Sequence, residues 1–438
     1  MTTAYAAQTS CLFLGEDGTV LKDATAQEGL PKDAKFASVY SCCSLGAAVT
    51  GEGQLHVWGE YAPCFFGQNM ERGQLRQFTP RAVPASEFDG NVVQTVALGG
   101  YNACVIAGNR LYTCGCGLEY SLGYTMNPGR HLHFGQFCKM QHVPIKDGLA
   151  EVPIMDVVVG TQCSGAVGCD GTVWTWGPNR HGECGTGSRD KCMKPTRVLL
   201  IDATGENRLD AAFKARRIFM SKHTVVVGSD GTLNVWGNNL YGQLALGHDD
   251  MDGLECRLPV FIKTFPMQMA ACGKRHTLFL TVSGSVFACG DNYCGALGLG
   301  VHPATPATYS YSPTSWYYET RVVGLPSDNV VSVSACGNQS MAVTSAGAVL
   351  RWGGETKRIV PDGGHYVQVT QAVGPELFEP RLFSLPMRVG LGHIMRSDVA
   401  LALAMGLHAR LGADSPVRVL CTDAVRRTTE AWTLQLPY

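Results

Sequence analysis

A seven-residue segment that opens and closes on glycine recurs along this chain at a nearly fixed interval. The copies read GQLHVWG (Gly53–Gly59), GTVWTWG (Gly171–Gly177), GTLNVWG (Gly231–Gly237), GSVFACG (Gly284–Gly290) and GAVLRWG (Gly347–Gly353). NRLYTCG (Asn109–Gly115) fits with asparagine at the turn. The closing glycines stand at 59, 115, 177, 237, 290 and 353, so the interval stays between 53 and 63 residues. Weaker copies lie near the two ends, Gly18–Ala24 and Gly406–Gly412. In four of the five copies the opening glycine follows an acidic or hydroxyl residue: Glu52-Gly53, Asp170-Gly171, Asp230-Gly231 and Ser283-Gly284. Two-residue hairpin turns need positive φ, which glycine supplies without a Cβ clash.

Apolar or alternating runs flank each turn, as in VVVGTQCSGAVG before Cys169 and MQMAACGKRHTLFLT before Val282. Three or more short strands per unit of roughly 60 residues, without helical periodicity, describe a propeller blade. The composition agrees. Charged residues are only 16%, and 52 of 438 residues are glycine, about 12% against a usual 7% or so. Such a chain is neither disordered nor a helical solenoid. Apolar residues at 45% are ample for a large core.

A second signature follows the hairpin. It reads W-G-P-N-R-H-G-E-C-G-T-G from Trp176, W-G-N-N-L-Y-G-Q-L-A-L-G from Trp236 and C-G-D-N-Y-C-G-A-L-G-L-G from Cys289. A worn copy starts at Cys114. With these residues the chain resembles the regulator of chromosome condensation repeat family. Kelch and WD patterns fit less well. The resemblance implies an all-β fold over residues 1–438, a single seven-bladed propeller of four-stranded antiparallel blades closed by strands from both termini. Eight complete blades are the alternative. It also implies two kinds of function: a ring whose loops bind proteins, or nucleotide exchange on a small Ran-like GTPase, as the founding member performs.

Several chemistries are excluded by what the motifs lack. Gly290-Asp-Asn-Tyr-Cys-Gly295 has no G-K-[ST], so the glycine-rich tails are not phosphate loops. No G-x-S-x-G occurs. His131, His133, Cys138 and His142 are a candidate metal set, but a polar insertion loop explains them better, with no acidic partner evident in sequence. His223-Thr224 and His276-Thr277 recur at matching positions, as blade-building residues do. No catalytic residue, cofactor or metal is expected. Thirty-five Lys and Arg against 36 Asp and Glu leave no basic excess, so nucleic acid is an unfavoured partner. Eighteen cysteines without C-x-x-C read as buried thiols in a reducing compartment, the cytoplasm or the nucleus. The opening MTTAYAAQTSCLFLG does not resemble a secretory signal. The longest apolar run, Val399–Met405, is far short of a membrane span, so no membrane insertion is expected.

Propeller function sits on loops, so the insertions carry the interaction candidates. They are Met126–Glu151, Arg208–Lys222, His302–Glu319 and Gly354–Pro380. Arg216 and Arg217 lie in the basic second stretch. Tyr309, Tyr311, Trp316, Tyr317 and Tyr318 crowd the third. Aromatics and arginine dominate binding hot spots. Both stretches also fit a plainer role, a solvated face for the second and a loop folded on its own ring for the third. The function expected is a non-enzymatic scaffold that binds protein partners, with GTPase exchange as the alternative.

Overall fold

Each of the six clear hairpins becomes the second and third strand of a four-stranded antiparallel sheet. The computed structural model describes residues 4–373, apart from the connections 61–75, 125–136, 202–212, 247–254, 299–314 and 354–369 and shorter stretches elsewhere. Blade 1 comprises Phe36–Cys42, Leu45–Thr50, Leu55–Glu60 and Arg76–Ala82. Blade 2 comprises Val93–Leu98, Asn102–Ala107, Arg110–Cys116 and Phe137–His142. Blade 3 is Ile154–Val159, Ser164–Gly168, Val173–Gly177 and Cys192–Val198. Blade 4 is Ala215–Met220, His223–Gly228, Leu233–Asn238 and Glu255–Ile262. Blade 5 is Met267–Cys272, His276–Thr281, Val286–Asp291 and Ser315–Arg321. Blade 6 is Val330–Cys336, Gln339–Thr344, Val349–Gly353 and Thr370–Val373.

The expectation of seven blades, or eight, is corrected, while its closure by strands from both chain ends involves residues outside the described ones. Among the described residues, six repeat blades form. The weak hairpin near the start lies within a sheet of its own. Its residues build a separate sheet of very short strands, Ala4–Ala6, Cys11–Leu14, Val20–Lys22 and Thr25–Ala26, paired in sequence order. Ala4–Ala6 lies beside the first strand of blade 1 and the first two strands of blade 6. The other weak copy, Gly406–Gly412, lies outside the described residues.

The opening glycines behave as the turn chemistry requires. Gly171 and Gly231 have φ of 82° and 81°. Their carbonyls reach out of the blade. Gly171 O accepts from Ala215 N at 3.1 Å, and Gly231 O from Met267 N at 2.9 Å. Each hairpin therefore holds the first residue of the next blade. The cores lie between blades as well: Val173 and Val198 of blade 3 pack with Ile218, Val226 and Trp236 of blade 4.

Two irregularities recur. In every blade the first strand is bulged at its second residue: Ala37, Gln94, Met155, Arg216, Gln268 and Val331. A bulge bends the strand and re-aims the side chain. The ladder between third and fourth strands also slips beside the Trp or Cys before the closing glycine. Thr175 pairs with Thr196 but Gly177 with Cys192, and Val235 with Val260 but Gly237 with Cys256. Pro80, Pro195 and Pro259 occupy one register position of the outer strand in blades 1, 3 and 4. Proline lacks the N–H that would let an exposed edge pair with another chain.

Candidate functional site

Among the described residues, the repeated His, Thr, Ser, Trp and Cys side chains meet at the seams between blades and are bonded there. In four seams one carbonyl of a glycine-rich tail accepts two donors from the following blade. Glu183 O takes Trp236 Nε1 at 2.7 Å and Thr224 Oγ1 at 3.0 Å. Ser121 O takes Trp176 Nε1 at 3.1 Å and Ser164 Oγ at 3.4 Å. Ala296 O takes Trp352 Nε1 at 2.9 Å and Ser340 Oγ at 2.8 Å. Gln243 O takes Thr277 Oγ1 at 2.6 Å and Cys289 Sγ at 3.3 Å. Trp176, Trp236 and Cys289 are fully buried, and Trp352 nearly so. Cys289 thus fills the tryptophan position, as its place in the repeat implies.

The tails fold around an asparagine. Asn179, Asn239 and Asn292 each accept from the backbone N–H five residues on, at 2.8 to 3.0 Å. This side-chain-to-backbone bond closes the loop and occupies the site where a phosphate loop would present free N–H groups. The repeated histidines are equally committed. His223 Nε2 meets Thr277 Oγ1 at 2.7 Å, and His276 Nε2 meets Ser340 Oγ at 2.8 Å, both across a seam. Burial pushes their pKa values down to about 3 and about 4. Neither is exposed to a substrate.

The interaction candidates separate. Arg216 is exposed at the bulge of its strand. Arg217 next to it is half-buried, with its guanidinium 5.1 Å from the Phe219 ring centre. Burial raises the Asp156 carboxyl of blade 3, and the charge of Arg217 opposes that rise. Asp156 also accepts from Ile218 N at 3.0 Å. Arg217 therefore helps to hold a seam, and Arg216 alone of the two faces solvent. Tyr309 and Tyr311 lie outside the described residues. Trp316, Tyr317 and Tyr318 do not belong to a loop, because the fourth strand of blade 5 already starts at Ser315. Trp316 pairs with Gly290, the register that Cys192 and Cys256 hold in blades 3 and 4. Of the metal candidates, His142 Nε2 lies 2.7 Å from Glu151 Oε1, while His131 and His133 lie outside the described residues. Among the described residues, no group of three His, Cys, Asp or Glu is placed to hold a metal ion.

Sequence reasoning missed a concentration of cations where the tails and the first-to-second-strand turns of blades 3 to 5 meet. Arg180, Lys191 and Lys274 are exposed there. Glu255 gathers Arg189 Nη2 at 2.7 Å, His181 Nδ1 at 3.2 Å and Arg257 Nε at 3.9 Å. The Arg275 guanidinium stands 4.6 Å above the Tyr241 ring and 3.5 Å from Asp291. These residues are far apart in sequence, and only the aligned repeat could have brought them together.

Comparison with known proteins agrees with this architecture. The model of the regulator of chromosome condensation (RCC1) repeat matches residues 170–208 and 230–280, and a second model of that repeat matches 270–296. Prp20p of Saccharomyces cerevisiae superposes with a TM-score of 0.60 at 17% identity, over 76% of this chain and 80% of that one. This is an RCC1-like propeller. Human WBSCR16 superposes similarly, with a TM-score of 0.59 and 19% identity over 77% of this chain and 79% of its own. By sequence, the propeller is 27% identical to the ultraviolet-B receptor UVR8 of Arabidopsis thaliana over 56% of this chain and 54% of the receptor. Mouse RCC2 is 36% identical over 28% of this chain and 19% of its own length. The human ubiquitin ligase HERC2 matches at 27% over 58% of this chain but only 5% of the ligase. The chain thus spans about half, or far less, of the length of the receptor, RCC2 and the ligase that it matches by sequence.

Proposed function

We propose that this propeller is a non-enzymatic scaffold that binds protein partners through the turns at the ends of its blades. The observation that carries the reading is the commitment of its chemically able residues. The buried His, Thr, Ser, Trp and Asn of the repeat bond across seams or within tails. The described turns between strands face solvent, where loops of a propeller recognise partners. The compartment that goes with this reading is the cytoplasm.

Nucleotide exchange is the second reading. Its support is the likeness in fold to Prp20p, whose structure was described with its binding properties to Gsp1p and histones. One experiment separates the two. The purified chain is added to a Ran-type GTPase loaded with fluorescent GDP, and affinity capture from its native cells runs in parallel. A stable multi-protein complex with unchanged GDP release fits the scaffold. Accelerated release at catalytic amounts of the chain would replace it with exchange.

A further inference from the structure

We infer that the tail-and-turn side of blades 3 to 5 docks an acidic segment of a partner protein. The inference rests on the scaffold reading and specifies its chemistry. The inner part of this surface is made by the turns that join first and second strands. In blade 4 that turn carries Lys222, and in blade 5 it carries Lys274 and Arg275. Lys222 and Arg275 hold the same place in their blades, directly before His223 and His276. Their backbones are fixed: Lys222 O accepts from Asn238 N at 3.0 Å, Arg275 O from Asp291 N at 2.9 Å, and Lys274 N donates to Gly337 O at 2.8 Å. The charges are therefore presented from rigid turns, which lowers the ordering cost of binding.

Arg180, Arg189, Lys191 and Arg257 extend the surface outward, and a Cβ at Gly182 would stand only 2.8 Å from Arg257 Cα. The nearby carboxylates are spent. Glu255 is largely buried among two arginines and a histidine, Asp291 is buried beside Arg275, and Glu183 is buried with its carboxyl raised by that burial. Asp190 is the exposed acid among these described residues. In a chain of net charge -1, cations outnumber anions among the described residues of this surface. Asp249, Asp250 and Asp252 lie outside the described residues.

Carboxylates suit this pattern better than a phosphate chain does. Nucleic acid needs a continuous basic stripe, since duplex DNA carries a charge every ~1.7 Å. Here the cations come in small groups separated by Glu255, Asp190 and Asp291. Discrete side-chain carboxylates, each met by an arginine fork or a lysine, match that spacing.

The test uses a fluorescein-labelled twelve-residue peptide rich in Asp and Glu, and a single-stranded oligonucleotide of equal length, at physiological salt. Anisotropy is read with the wild-type chain and with the Lys222→Glu, Lys274→Glu double variant, whose melting temperature is checked to be unchanged. The expected result is peptide binding that weakens at least tenfold in the variant, with little binding of the oligonucleotide. Peptide binding that is absent, or equal in both proteins, overturns the inference. Tighter binding of the oligonucleotide through the same lysines overturns it in favour of nucleic acid. If the peptide fails while a native complex still forms, the scaffold reading stands and only its acidic partner falls.

Discussion

His223 and Thr277 share a hydrogen bond of 2.7 Å across the seam between blades 4 and 5. Thr277 has one hydroxyl proton and spends it on Gln243 O at 2.6 Å. The bond from His223 must then be donated by Nε2–H. Its imidazole is a neutral tautomer with Nδ1 buried and unpaired. The same reasoning applies to His276, Ser340 and Ala296 O one blade on.

Acid should open these seams. Both histidines titrate lower in the folded chain than the unfolded value of 6.5, at about 3 and about 4. As pH falls below 6.5 the unfolded chain takes up protons first, so stability declines until the folded values are reached. Between pH 7.5 and 5 the two together cost on the order of 4 kcal/mol. Urea midpoints measured across that range check the slope. His223→Gln with His276→Gln should flatten it, since blade 6 already uses Gln339 at this position.

Gly231→Val should destabilise the ring by about 1–3 kcal/mol. The residue has φ of 81°, and an added Cβ would stand 3.0 Å from Met267 N and Pro266 Cα of the incoming strand. Equal melting temperatures for variant and wild type would contradict this.

The shared carbonyl of Glu183 makes a graded prediction. Trp236→Phe keeps most of the packing but loses the indole donor, at about 1 kcal/mol. Trp236→Ala also leaves a cavity between blades, at about 3–5 kcal/mol. Chemical denaturation of the two variants should show that order.

Thiol labelling should sort the cysteines by seam. Cys169 is exposed, whereas Cys289 is fully buried with its thiol on Gln243 O. Peptide mapping after brief alkylation should find Cys169 modified in the native protein and Cys289 only after denaturant. Rapid native labelling of Cys289 would break its equivalence with Trp236.

What was legible in sequence was local. A glycine at positive φ and an aromatic before a closing glycine are properties of a few residues, so Gly171, Gly231, Trp176 and Trp236 stood out. The start of the last strand in blade 5 was hidden because Trp316 pairs with Gly290, across a long connection full of Pro, Ser and Thr. Strands of two to four residues hid the sheet of residues 4–26. The cations beside Glu255 were invisible for another reason. His181, Arg189 and Glu255 meet only because two blades pack at a fixed angle, and no spacing along the chain encodes that.

The sheet of residues 4–26 has a consequence for synthesis. It is translated well before two of its neighbours, the first two strands of blade 6, which end only at Thr344. At roughly 5–20 residues per second, the delay is on the order of tens of seconds. During that time these strands face a gap. The nascent ring is an open arc with an exposed flank at each end, and the keystone has left the ribosome long before the stone it must meet.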